Sequence, residues 1–160
     1  MCGIAGVFSL SMDPSRMAGI TRGMADSLRH RGPDDEGFFN SEGISLGMRR
    51  LSIIGVDNGK QPLFNEDGSV AAVFNGEIFN YLELIPPLRA RGHRFRTRSD
   101  GEVLVHLFEE DGLRLLDRIN GMYAFCLWDT RSRTGYLVRD RIGVKPIYYR
   151  IDGGDLIFAS

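Results

Sequence analysis

Apolar and β-branched residues recur along the chain in short runs that suit strands: Ile4–Phe8, Gly37–Asn40, Ile44–Met48, Ala71–Phe74, Met122–Asp129, Tyr136–Asp140, Ile147–Ile151 and Leu156–Ala159. Turn-forming clusters separate them at Ser41–Gly43, Glu66–Gly68, Arg131–Gly135 and Asp152–Gly154. The last three are short enough to close antiparallel hairpins. Within Met122–Asp129, alternation sets Met122, Ala124, Cys126 and Trp128 on one face and Tyr123, Phe125 and Leu127 on the other. Both faces are apolar, so this strand is expected to be buried between two layers, with Cys126 an unreactive core residue.

Three segments carry helical signals. Asp13 can cap, Pro14 occupies the first helical position, and Met17, Ile20, Met24 and Leu28 follow at three- and four-residue spacing. Asn80 with Glu83 resembles a capping box for a helix over Tyr81–Arg91. Pro86 and Pro87 lie inside it, and because an interior proline costs about 3 kcal/mol the helix is expected to break or restart there. After Ser99, the residues Val103, Leu104, Leu107 and Phe108 share a face, Gly112 offers a stop, and a short further helix is expected over Gly112–Ile119. Strands cluster at both ends with helices between them. That order favours an α+β fold with helices covering mainly antiparallel sheets. Residues 1–160 are expected to form one domain, without internal repeat or linker.

The composition, 42% hydrophobic and 26% charged, excludes a disordered or low-complexity chain. A net charge of −1, with arginines dispersed along the chain, supplies no footprint for nucleic acid. No run approaches the roughly 18 apolar residues of a membrane span. The amino end lacks the charged segment of a secretory signal, the first basic residue being Arg16. Cys2 and Cys126 are the cysteines, and no N-x-S/T sequon occurs. A reducing, cytoplasmic setting is therefore expected. His30, His93 and His106 are isolated in sequence and no Cys/His spacing suits zinc, so no metal site is expected.

Candidate chemistry begins at Cys2. Read by position, it is either a small buried hydrophobe at a strand start or, once Met1 is trimmed, a residue carrying both a thiol and a free α-amine. An α-amine with a pKa near ~8 can serve as base for its own thiol. Asn75-Gly76 is a turn signal in one reading. At a strand end beside a nucleophile, an amide and a glycine N–H can instead donate to an oxyanion. Arg50 and Asp100 read singly as surface charge and helix cap; converging, they suit the carboxylate and ammonium of a free α-amino acid.

Taken together, MCGIAGVF, RHRGPDDEG (29–37), RLSIIG (50–55), QPLFNEDGS (61–69), FNGEIFNY (74–81), SDGEVLVHLF (99–108), NGMYAFCLWD (120–129) and RDRIGVKPIYY (139–149) resemble, in order and spacing, the glutamine amidotransferase domain of asparagine synthetases. This is the N-terminal-nucleophile type of glutaminase. The resemblance implies an N-terminal nucleophile hydrolase fold, two stacked antiparallel sheets flanked by helices, and L-glutamine as substrate. It implies Cys2 as nucleophile, and Asn75 with the Gly76 N–H as oxyanion hole. Arg50 would hold the glutamine carboxylate, Asp100 and Glu77 its ammonium, and Leu51 and Ile54 would make backbone contacts.

The same resemblance implies no cofactor in this chain, ATP and magnesium being expected in a synthetase domain, and allows a homodimer of the full-length enzyme. No pyrophosphate-binding SGG-x-DS loop occurs in these residues. The expectation is therefore an excised domain, with a free-standing subunit as alternative, serving a synthetase domain in cis or as a separate subunit. Another ammonia acceptor, or a non-catalytic module with Met1 retained, are the rival readings. Gly55, Met48, Phe79 and the Pro86-Pro87 pair depart from the family pattern, and none belongs to the implied nucleophile, oxyanion hole or glutamine clamp.

Overall fold

The computed structural model describes residues 1–54 and 58–160. Gly55, Val56 and Asp57, and with them the departure at Gly55, lie outside the described residues. The elements are β1 (Gly3–Phe8), α1 (Pro14–Ser27), β2 (Asp35–Ser41), β3 (Ile44–Arg50), β4 (Leu63–Phe64), β5 (Val70–Ile78), α2 (Tyr81–Ala90), α3 (Val103–Asp111), α4 (Leu115–Arg118), β6 (Gly121–Asp129), β7 (Thr134–Arg139), β8 (Tyr148–Asp152) and β9 (Asp155–Ala159). They form two antiparallel sheets ordered β2-β3-β1-β9-β8 and β4-β5-β6-β7. Helix α1 packs on β1 and β3, while α2 and α3 cover the second sheet. The architecture is the expected α+β stack, helix on sheet on sheet on helices.

Strand alternation decides which residues fill each layer. On β1, Ile4 and Phe8 face the second sheet; on β3, Ile44, Leu46 and Met48 do the same. They meet Val73 of β5, Ala124, Cys126 and Trp128 of β6, and Phe158 of β9 in a dry layer between the sheets. The other face of β6, Tyr123, Phe125 and Leu127, packs with Leu84, Leu88, Val103, Leu104 and Leu107 beneath the helices. Gly6 keeps the first layer thin, because a Cβ there would stand 2.5 Å from the Phe158 ring.

Three local expectations are corrected. Helix α1 starts as predicted, with the Asp13 carboxylate accepting from the Ser15 and Arg16 N–H groups, but its buried stripe is Met17, Thr21 and Ala25. Ile20, Met24 and Leu28 flank it, half-buried. The small stripe lets α1 approach Gly47, where a Cβ would lie 2.9 Å from Thr21 Cγ2.

Asn80 does not form a capping box with Glu83. Its side chain instead accepts from Asn120 N at 2.9 Å and donates to Arg118 O at 2.9 Å, tying α2 to the segment after α4. Helix α2 also runs unbroken through Pro86 and Pro87. Both prolines are exposed, so the carbonyls they leave without donors face water, and buried Leu84 and Leu88 on the opposite side contribute about 1.5–3 kcal/mol each against the proline penalty.

Strand β4 was not anticipated, being two residues long, and β5 extends beyond Phe74 to include Asn75, Gly76 and Glu77. Ser41–Ile44 also closes a hairpin between β2 and β3. Among the described residues no helix is long and apolar enough to cross a membrane.

Burial is complete at Cys126 and pushes its thiol pKa far up, whereas Cys2 is half-buried. Limited alkylation of the native protein followed by peptide mapping is expected to label Cys2 and to leave Cys126 unmodified until denaturant is added. Equal labelling of both would contradict the layer assignment. Cys126→Ser, which buries a hydroxyl among apolar neighbours, is expected to cost about 1–3 kcal/mol in a denaturation curve.

Candidate functional site

The strand ends that converge at one edge of the dry layer carry its polar residues. Cys2 stands one position before β1, on the same side of the strand as Ile4, and packs against the inter-sheet cluster. Arg50 closes β3 on the side of Leu46 and Met48, one step beyond the Gly3–Arg49 pair of the β1–β3 ladder, which sets it opposite Cys2. From the facing sheet, Asn75 and Glu77 share the alternation of Val73. These parities send a thiol, a guanidinium, an amide and a carboxylate toward the same space.

That space is a pocket open to solvent. All eight residues singled out from the sequence, Cys2, Arg50, Leu51, Ile54, Asn75, Gly76, Glu77 and Asp100, line it. The thiol is held from both sides by one residue, since Leu51 N donates to Cys2 Sγ at 3.4 Å and Cys2 Sγ donates to Leu51 O at 3.6 Å. Arg50 is 5% exposed, and its guanidinium donates to Ile54 O at 2.9 Å. The backbone of Leu51 thus orients the sulfur, and that of Ile54 orients the arginine.

Asn75 is 1% exposed, and its Nδ2 is buried with no hydrogen-bond partner among the described residues. Leaving a buried amide donor unsatisfied costs about 1–3 kcal/mol, and Asn75 carries that cost at the wall of the pocket. Next to it only glycine fits: a Cβ on Gly76 would lie 2.2 Å from Met122 O and 2.7 Å from Tyr123 Cα across the β5–β6 ladder. The pair is therefore strand backbone rather than the turn that Asn-Gly usually signals.

Asp100 opens a single 3₁₀ turn capped by Ser99, and its Oδ2 accepts from Ile78 N, the last residue of β5, at 2.8 Å. Burial pushes the carboxyl above the usual aspartate range; N–H groups of Ile78, Asp100 and Gly101 oppose that rise, and the Glu77 charge adds to it. A cation entering here would find one buried carboxylate and a second beside it.

The pocket also has residues that sequence reasoning did not assign: Met1, Ile53, Gln61, Phe74, Ser99 and Lys145. Gln61 acts as a substitute strand, accepting from Phe74 N at 2.7 Å and donating to Phe74 O at 3.0 Å. It satisfies the edge of β5 just before Asn75, where two-residue β4 has already ended. Lys145 is delivered by a loop wound on Asp140, which accepts from the N–H groups of Tyr123, Val144 and Lys145. Burial opposes ionisation of Asp140, but those N–H groups outweigh it and hold its carboxyl below the usual range. Lys145 Nζ ends 3.5 Å from Met1 Sδ. Both residues sit inside the family-like blocks, but their reach toward the pocket depends on pairings that no local pattern encodes.

Of the described departures, Met48 is core and Phe79 is 58% exposed; neither lines the pocket, nor do Pro86 and Pro87. The histidines are not all isolated. His30 bonds locally to Ser27 O, but the rings of His93 and His106 stand 4.9 Å apart, away from the pocket.

Residues 1–160 match the family model described as a glutamine amidotransferase domain. The whole chain is 46% identical to asparagine synthetase [glutamine-hydrolyzing] 2 of Bacillus subtilis, 40% identical to asparagine synthetase [glutamine-hydrolyzing] 1 of the same organism, and 42% identical to asparagine synthetase [glutamine-hydrolyzing] 2 of Arabidopsis thaliana. It spans 21%, 26% and 28% of those relatives' lengths. The fold is similar to that of glutamine phosphoribosylpyrophosphate amidotransferase from B. subtilis, with a TM-score of 0.78 at 24% identity over 98% of this chain and 41% of that one. From its first residue to its last, the chain belongs to the glutamine amidotransferase domain family.

Proposed function

We propose that this domain hydrolyses the side-chain amide of L-glutamine, with Cys2 as nucleophile after removal of Met1. The observation that carries this reading is one pocket lined by both Cys2 and Asn75, with the buried Asn75 Nδ2 lacking a partner among the described residues. A donor left unsatisfied in the resting protein gains its hydrogen bond when an oxyanion forms, which is how electrostatic preorganisation lowers a barrier. The α-amine of Cys2 takes the thiol proton, and Sγ attacks the γ-carbonyl carbon. Asn75 Nδ2 and the Gly76 N–H receive the oxyanion. Collapse breaks the C–N bond, the amine's proton goes to the leaving nitrogen, and ammonia departs. Water then attacks the γ-glutamyl thioester, giving glutamate and returning the thiol.

The rest of the pocket suits the invariant end of the substrate. Arg50 faces the α-carboxylate, Asp100 and Glu77 the α-ammonium, while Leu51 and Ile54 orient Cys2 and Arg50 through their backbones. No step draws on a cofactor. Asparagine formation by a synthetase domain, in cis or as a partner subunit, is the destination of the ammonia that the relatives' names support; ATP and magnesium belong to that second reaction. A cytoplasmic setting accords with two free cysteines.

Retaining Met1, or fusing a tag to Cys2, converts the basic amine into an amide and fills the pocket wall. Turnover is expected to be lost with the fold unchanged, as judged by an ammonia-release assay, circular dichroism and intact mass. Full activity with Met1 demonstrably present would overturn the mechanism and favour a non-catalytic or differently catalysed domain.

Asn75→Ala is expected to lower kcat by about 10²–10³ with a smaller change in KM, the result of deleting one oxyanion donor. An unchanged kcat with a raised KM would assign Asn75 to ground-state binding.

Because the Asp100 carboxyl is raised, it loses its charge at a higher pH than an exposed aspartate does. The protonated form attracts ammonium poorly, so KM for glutamine is expected to rise as pH falls through the Asp100 titration. In Asp100→Asn the KM is high throughout and this acid limb disappears; persistence of the limb would place the titrating group elsewhere.

A further inference from the structure

Away from the pocket, three segments bring four potential ligands to one point. Glu66 comes from the β4–β5 turn, His93 from the chain after α2, and His106 and Glu109 from successive turns of α3. One donor atom from each lies within 4.8 Å of every other. His93 Nδ1 and His106 Nδ1 are 3.2 Å apart, and each stands 3.4 Å from an oxygen of Glu66. Glu109 Oε2 is 3.8 Å from the first nitrogen and 4.0 Å from the second.

The outward ring nitrogens face carboxylates outside the cluster. His93 Nε2 meets Glu110 Oε1 at 3.1 Å, and His106 Nε2 faces Glu102 Oε1 at 3.6 Å. The Glu110 carboxylate suits a proton on His93 Nε2, which turns the His93 Nδ1 lone pair toward His106 Nδ1. His106 is fully buried, and its Nε2 has no hydrogen-bond partner among the described residues.

We propose that Glu66, His93, His106 and Glu109 bind one divalent transition-metal cation, zinc by the chemistry of the donor set. Zinc bonds of about 2.0–2.2 Å to nitrogen and oxygen make a tetrahedron with edges of roughly 3.3–3.6 Å. The 3.2 Å His93–His106 contact is close to such an edge, the two 3.4 Å contacts run to Glu66 Oε1 and Oε2 respectively, and the Glu109 corner stands wider, so binding draws the four ligands inward. Imidazole nitrogens disfavour calcium and magnesium, which take oxygen ligands. Glu110 holds the outer nitrogen of His93, as carboxylates do behind zinc-bound histidines, and Glu102 stands 3.6 Å from that of His106. The bound ion would clip the β4–β5 turn to α3 and to the segment between His93 and Asp100. Glu102 grips that segment through the N–H groups of Arg96 and Thr97.

The test is calorimetric titration of the EDTA-treated chain with zinc chloride, in a Cys2→Ala background that removes the competing thiol. Metal analysis after gel filtration and thermal melting accompany it. One equivalent of zinc and a raised Tm are expected. His93→Gln and Glu109→Gln, both at the accessible side, are expected to weaken binding by on the order of 10²-fold or more, and Glu110→Gln by about 10–100-fold. Cobalt(II) should give the visible absorption of a tetrahedral site. No uptake of zinc would overturn the proposal in favour of a proton shared between the two rings. One equivalent that His93→Gln and Glu109→Gln leave untouched would also overturn it, by placing the metal elsewhere.

Discussion

The dry contact between the two sheets is the constraint from which the rest of the molecule follows. Ile4, Leu46 and Met48 meet Val73, Ala124 and Cys126 with no polar side chain among them. Burying each large aliphatic side chain contributes about 1.5–3 kcal/mol, so slippage by one residue, which would turn every one of them to the opposite face, is strongly disfavoured. Because register and alternation are locked in the layer's interior, they are also locked at its edge. Cys2, Arg50, Asn75 and Glu77 arrive at a common pocket because they continue the face that the core residues define.

Secondary contacts remove the remaining freedom. The Gln61 amide supplies both missing strand bonds of Phe74, Ile78 N anchors the Asp100 carboxylate, and the Leu51 backbone brackets the Cys2 sulfur. Each converts a side chain that would otherwise sample several rotamers into one fixed by a backbone partner. A site assembled from strand ends with such support is preorganised for charge that appears during a reaction. Asn75 differs from these, its Nδ2 being a buried donor without a partner among the described residues.

The cluster of Glu66, His93, His106 and Glu109 belongs to the same logic at a different place. Between His93 and Asp100 the chain has no helix or strand, yet it must deliver a buried carboxylate to Ile78. Glu102 accepts from the backbone of Arg96 and Thr97, and Glu66 accepts from Arg94 N at 2.6 Å, so acidic side chains do the work of a strand partner. Their carboxyls lie below the usual range: burial opposes ionisation at both, but those N–H groups and the neighbouring histidines outweigh it.

Much of this was legible in the sequence. Two apolar faces on Met122–Asp129 required a layer on each side, and they have one; Asp13-Pro14 and Gly112 marked helix ends because cap chemistry is local. The family-like blocks named eight residues that line one pocket. What the sequence did not determine depends on distance in space. Local propensity would have broken α2 at Pro86 and Pro87, but tertiary burial of Leu84 and Leu88 outweighs it. Asn75-Gly76 reads as a turn in isolation, and only pairing with Ala124 and Tyr123 makes it strand. Gln61, Lys145 and the His93–His106 contact join positions with no shared period or motif, because a hydrogen bond or a ring contact between distant segments leaves no trace in the local pattern of either.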